Sequence, residues 1–99
     1  MKPVVFHDLA FAELDEAATW YEERKRGLGA EFRIAIEDAV QRIQDNPLAG
    51  SRYRRTTFRF VLVHRFPYVV FYREGKEAIR LIAVAHGRRR PGYWKKRKF

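Results

Sequence analysis

The chain contains no cysteine, which excludes a disulfide framework and any thiolate metal site. No apolar run reaches the ~18 residues that a membrane crossing needs. The opening Met-Lys-Pro-Val-Val-Phe-His-Asp holds one cation and then meets an acid, which is not the pattern of a secretion signal. With no address of this kind, the expected location is the cytoplasm and no membrane partner is expected. Three scattered histidines show no His/carboxylate ligand spacing, so neither a metal nor a cofactor is expected. There is no Gly-rich phosphate loop, Walker sequence or nucleophile elbow. No repeat, linker or low-complexity stretch divides the 99 residues, which are expected to form a single domain, 1–99.

Acids are nearly missing from the second half. Residues 51–99 hold fifteen Lys/Arg against two Asp/Glu, whereas residues 1–50 hold six against ten. The net charge of +9 is therefore −4 in one half and +13 in the other. Positive charge at that density attracts a polyanion, either nucleic acid or an acidic protein segment. The plainer reading is a well-solvated basic face. An apolar share of 46% with 15% aromatics argues for a folded core rather than disorder.

Residues 3–7, with Pro3 at the start, read as a short strand. Asp8 is then placed to cap a helix. Ala10, Leu14, Ala17, Ala18 and Tyr21 fall on one face of that helix, Arg24, Lys25 and Arg26 suit its C-terminal end, and Gly27 stops it. Leu28-Gly29 reads as a short connection into a second helix whose face is Leu28, Phe32, Ala35, Ile36, Ala39 and Ile43, ended by Asn46-Pro47. So short a junction predicts an antiparallel helical hairpin. Residues 48–55 read as a polar loop with Gly50, Arg52, Arg54 and Arg55. Three strands follow, at 56–64, 68–73 and 78–86, with short turns between them. Residues 79–85 are apolar at six of seven positions, as in a central strand covered on both faces. The predicted order is β-α-α-β-β-β: an α+β fold with the hairpin packed on one antiparallel sheet.

Several segments together resemble a known family. They are Phe6-His7-Asp8, Trp20-Tyr21-Glu22-Glu23, Gly27-Leu28-Gly29 with Phe32, Asn46-Pro47, the run Arg65-Phe66-Pro67-Tyr68-Val69-Val70-Phe71-Tyr72, and Ala83-Val84-Ala85-His86 followed by Arg89, Pro91, Tyr93 and Trp94. In this order they resemble the RelE/ParE superfamily of toxins from type II toxin–antitoxin modules, nearer its ParE-like, plasmid-stabilisation branch. The resemblance implies a RelE/ParE-like fold, a cognate antitoxin in a toxin–antitoxin hetero-oligomer, and growth inhibition by one of two routes. RelE-like members cleave messenger RNA on the ribosome. ParE-like members poison DNA gyrase without established catalytic residues. Fold likeness does not choose between the two.

If the chain is a ribosome-dependent endoribonuclease, His86 is the candidate base or acid, Arg89 the phosphate clamp, and Tyr93 the functional tyrosine of that group. Target or nucleic-acid contact falls to Arg59, Arg65, Arg88, Arg90, Trp94, Lys95 and Arg97. Against cleavage, the places where histidine-free ribonucleases of the superfamily carry two arginines hold Val69 and Gly87. The expectation is therefore gyrase poisoning, with RNA cleavage and a non-toxic basic nucleic-acid-binding module as alternatives. The residues also have structural readings. His86 ends a strand where it can bond a carbonyl, Trp94 can cover the sheet, and Trp20 and Tyr21 can simply pack. Not all of Arg88, Arg89 and Arg90 can face one partner.

Overall fold

The computed structural model describes residues 1–99. The elements are β1 (Val4–Phe6), α1 (Asp8–Arg24), α2 (Leu28–Asp45), β2 (Ser51–Arg52), β3 (Arg59–Leu62), β4 (Tyr68–Glu74) and β5 (Ile79–His86). They build one five-stranded sheet in the order β1-β5-β4-β3-β2, with the helical hairpin on one face. The α+β order is as the sequence predicts. The sheet, however, is mixed: β2 to β5 pair antiparallel, while β1 runs parallel to β5, with Val4 opposite Ile79 and Phe6 opposite Leu81. The hairpin makes this possible, because it carries the chain over the sheet between β1 and the meander.

The helices pack on the faces that their periodicity marks. Ala10, Leu14, Ala17 and Ala18 of α1 and Phe32, Ala35, Ile36, Ala39 and Ile43 of α2 are buried against Val70, Tyr72, Ile79, Leu81 and Val84 of the sheet. Small residues bring the helices close. A Cβ on Gly29 would stand 2.5 Å from the Ala18 carbonyl oxygen, so only glycine fits there. Gly29 lies inside the first turn of α2 rather than in a connection. The junction itself is Lys25 to Gly27, and Gly27 adopts a left-handed conformation at φ 88°. The Glu22 carboxylate accepts from the Gly27 and Gly29 amides at 2.9 and 3.0 Å, satisfying donors that a helix start leaves open.

The cap of α1 is His7 rather than Asp8. His7 Nδ1 accepts from the Leu9 amide at 3.0 Å, while Asp8 is already helical and complements the dipole from the first turn. Part of the expected polar loop forms β2, with Ser51 opposite Phe60 and Arg52 opposite Arg59. Backbone pairing holds this edge, since both its residues are exposed. Residues 56–58 turn instead of extending β3. Thr56 Oγ1 donates to the Tyr53 carbonyl and accepts from the Phe58 amide.

The β5 strand is covered on both faces, and a bulge shows how its apolar run is divided. Phe71 pairs with Ala83 and Tyr72 with Leu81, which leaves Ile82 as an extra residue in β5. Ile79, Leu81 and Val84 face the helices. Ile82 and Ala83 both turn to the other side, where they meet Tyr53 and Trp94, with Phe58, Phe60, Phe71 and Tyr93 around them. The C-terminal segment, residues 87–99, forms no regular helix or strand, yet it closes this second core over the far face of the sheet.

Candidate functional site

The strand β5 ends at His86, and the chain turns there. The Arg89 amide donates to the His86 carbonyl at 3.0 Å, and the Arg88 amide donates to His86 Nδ1, also at 3.0 Å. With Nδ1 accepting, the neutral ring carries its proton on Nε2. The ring stands edge-on to Tyr68, centroids 5.2 Å apart. His86 and Arg89 both line a groove of about 610 Å³ between α1 and the ends of β4 and β5, whose other walls include Glu13, Glu16, Trp20 and Tyr68. Trp20 is half exposed at its rim, with the Arg24 guanidinium 3.6 Å above the indole.

Beyond the turn, side chains converge on Glu13. The Tyr93 hydroxyl donates to Glu13 Oε2, and Arg97 donates to both carboxylate oxygens, at 2.9 and 2.8 Å. Arg97 Nη1 also donates to the Ile82 carbonyl at 3.0 Å, and the Val84 amide donates to Glu13 Oε1 at 3.1 Å. These backbone groups lie on the edge of β5 that β1 leaves after its last rung at Leu81. A carboxylate and a guanidinium thus stand in for the missing strand, as a buried edge requires. Only 12% of the Arg97 side chain and 14% of that of Glu13 are exposed. The Tyr93 phenol is pushed far above its ordinary range, first by burial and then by its hydrogen bond to the Glu13 carboxylate. The Arg97 guanidinium is also pushed up, chiefly by the bond to Glu13. Tyr93 therefore holds its proton at any physiological pH, and that proton is committed to Glu13.

The residues singled out by sequence separate into three groups. Trp94 is 1% exposed, tilted against Phe71 at 4.5 Å between centroids, so no base or partner reaches its ring in this conformation. Tyr93 and Arg97 join it as fixed parts of the fold. Arg59 and Arg65 are tethered on the other side of the sheet or at its rim. Arg59 donates to the Leu48 and Gly50 carbonyls at 3.3 and 2.9 Å, and Arg65 pairs with Glu31 at 2.9 Å. Arg88, Arg89, Arg90 and Lys95 take part in none of the five ion pairs in the molecule. Arg89 lies over the Tyr93 ring at 4.0 Å, which aims it without neutralising it.

Sequence reasoning missed two contributors. Arg54, in the loop after β2, lies 5.2 Å from the Tyr53 ring centre, and Lys95 lies 5.8 Å from the same ring. Arg54, Arg89 and Arg90 line one cavity of about 250 Å³. Arg52 and Arg55 likewise have no acidic partner. The available signal was a loop with three arginines and no acid near it. The other missed residue is Glu13, which resembles every other acid on α1 until its contacts are seen. No three of His, Cys, Asp and Glu gather as metal ligands, and no helix is long and apolar enough to cross a membrane.

A helical hairpin on one face of a small sheet, with a cation-bearing segment strapped over the other, defines a compact basic α+β protein. The profile of the family described as the ParE toxin of type II toxin–antitoxin system, parDE, matches residues 4–91. The chain belongs to that family. No curated protein matches it. Among solved structures it is similar to one titled "Chromosomal ParDE TA system from P. aeruginosa", with 20% identity and a TM-score of 0.66, covering 87% of this chain and 96% of that one. At that identity the likeness is one of fold.

Proposed function

We propose that this chain is the toxin of a type II toxin–antitoxin pair, that residues 1–99 act as one domain, and that it stops growth by poisoning DNA gyrase rather than by cutting RNA. The observation that carries the choice is the Tyr93 hydroxyl, bonded to Glu13 and held protonated. General acid–base chemistry needs a group whose proton is free to move near neutral pH. Tyr93 does not meet that need, and the His86 Nδ1 lone pair is taken by the Arg88 amide. Val69 and Gly87 supply no charge to a phosphate. What the far face does offer is unpaired cation: Arg54, Arg89, Arg90 and Lys95, suited to docking on an acidic surface.

A cognate antitoxin follows from the toxin–antitoxin pairing of the family. Its inhibitory segment is expected to be acidic and apolar, since it must cover cations and rings such as Trp20 together. The decisive experiment is induced expression followed by separate gyrase and translation assays. Purified protein should trap cleaved DNA–gyrase complexes, and His86→Ala should barely change that. Codon-linked cuts in messenger RNA that vanish in the His86, Arg89 and Tyr93 variants would reverse the assignment. Harmless overexpression with steeply salt-dependent DNA or RNA binding would instead mark a plain nucleic-acid-binding module.

A further inference from the structure

We infer that Glu13 is the positioning residue of the cationic turn: by capping the open edge of β5 and holding Tyr93 and Arg97, it fixes where Arg88, Arg89 and Arg90 stand. The inference rests on the proposal that Arg89 and Arg90 dock on the target.

The geometry is specific. One carboxylate receives the Val84 amide, the Tyr93 hydroxyl and two nitrogens of Arg97. Two of these donors come from the segment after the turn and one from the strand before it. Glu13 therefore closes a loop of chain from residue 84 to 97 against a helix near the opposite end of the sequence. Arg89 is coupled to this point through the Tyr93 ring, on which its guanidinium sits at 4.0 Å. Arg97 lies 5.2 Å from the centre of the same ring. The segment has no backbone ladder of its own; local turn bonds shape it, and a few side-chain bonds hold it against the rest of the fold. Other fastenings bear on different stretches. Trp94 anchors the far face, and the Lys98 carbonyl is bonded to His7 Nε2 at 2.9 Å. At the turn the Arg88 and Arg89 amides bond to His86, and Arg97 reaches the Ile82 carbonyl. Glu13 adds the fastening from the helix, joining Val84 of the strand to Tyr93 and Arg97 of the segment.

An acid used merely to neutralise Arg97 would not need to receive a β5 amide. Asp15 offers the contrast on the same helix: it pairs with Arg33 between two exposed surfaces and touches nothing in the sheet. Its loss should leave the turn in place.

The test compares Glu13→Gln, Glu13→Asp, Tyr93→Phe and Asp15→Asn in the full chain. Amide exchange and limited trypsin cleavage read position, and growth arrest at matched levels of folded protein reads function. In Glu13→Gln, exchange at Val84 and cleavage after Arg88 and Arg89 should rise about tenfold while the α2 amides stay protected. Arrest should weaken by a similar factor. Glu13→Asp, one methylene shorter but still charged, should recover part of both. Tyr93→Phe keeps its ring beneath Arg89 and is expected to fold, so it serves if Glu13→Gln does not; it should show the same local loosening at about threefold. Asp15→Asn should match the parent. Unchanged exchange and cleavage in both Glu13→Gln and Tyr93→Phe overturn the inference. So does a loosened turn with undiminished arrest, or a Glu13→Asp chain no better than the amide. If the parent chain arrests nothing, the functional proposal falls on its own account, and exchange and cleavage alone then decide whether Glu13 fixes the turn.

Discussion

The two faces of the sheet are covered by different means. On one, α1 and α2 contribute nine of the sixteen buried residues of the core, at the regular spacing of helices, and no single contact decides the arrangement. On the other, an irregular segment is held by one indole, one carboxylate and a few backbone bonds. The first face is a distributed core and tolerates small faults. The second concentrates its stability in a few side chains, and the same segment carries the unpaired cations. Exposed loop tips and turns are where binding residues sit, provided that a rigid base positions them.

The comparison is sharpest where a large side chain is removed from each side. Phe32→Ala on the helix face and Trp94→Ala on the far face should each cost about 3–5 kcal/mol by urea unfolding. Their local consequences should differ. In Phe32→Ala the loss is shared by the hairpin and sheet, and protection falls throughout. In Trp94→Ala the segment 87–99 should become sensitive to trypsin while α1 and α2 keep their protected amides. Equal sensitivity in the two variants would mean that the faces are one cooperative core after all.

Breaking the ion pair on the β5 edge comes next in size. Arg97→Gln leaves a Glu13 carboxylate only 14% exposed, with its guanidinium partner gone. Uncovering one member of a buried pair typically costs about 3 kcal/mol. In a double-mutant cycle with Glu13→Gln, the coupling should be about 1–3 kcal/mol, because both residues serve the same strand edge. Arg65→Gln, which breaks the more exposed pair with Glu31, should cost less than about 1 kcal/mol.

How much of this was legible in the sequence follows from the same contrast. The helix faces could be read residue by residue, since a packed helix must repeat its apolar positions. The β5 run announced a strand buried on both sides. It did not reveal the bulge at Ile82, because six apolar residues in seven fit either register. Parallel pairing of β1 was equally hidden, as a three-residue strand carries no mark of direction. Trp94 sits among cations, and an aromatic in that setting has the same letter code whether it points in or out. Glu13 was the hardest to find. It is one acid among several on α1, and only the departure of β1 at Leu81 creates the vacancy that it fills.

Alkaline titration separates the faces in a smaller way. Burial raises the phenols of Tyr72, on the helix side, and Tyr93, on the far side; Tyr93 is raised further by Glu13. Above the ordinary tyrosine range, near pH 10, an unfolded chain releases these protons while the folded chain still holds them. The unfolded state then binds fewer protons, so stability must fall as pH rises. The contribution is intact below about pH 10 and is lost progressively above it. Glu13→Gln removes one cause of the Tyr93 shift and leaves burial in place. The variant's phenolate absorbance should therefore appear at lower pH than the parent's, chiefly for Tyr93, with Tyr68, which the same carboxylate also raises, following to a smaller extent. An identical titration would show that Glu13 contributes nothing to holding that proton.

The smallest effect on stability should accompany a large effect on function. Arg54 and Arg90 line one cavity, and neither is part of an ion pair. Replacing either by alanine removes exposed charge and breaks no bond that the fold uses, so stability should change by less than about 0.5 kcal/mol. Arg97→Gln makes the opposite case: a cation from the same basic stretch whose loss is felt by the fold first. If cations on the far face act on an acidic partner, Arg54→Ala/Arg90→Ala should weaken growth arrest and flatten the salt dependence of target binding, with thermal unfolding unchanged. If arrest persists in that double variant, docking must lie elsewhere, and the groove between α1 and β5 with Trp20 at its rim becomes the surface to mutate. Either result divides the positive charge of the second half into the part that folds the chain and the part left for a partner.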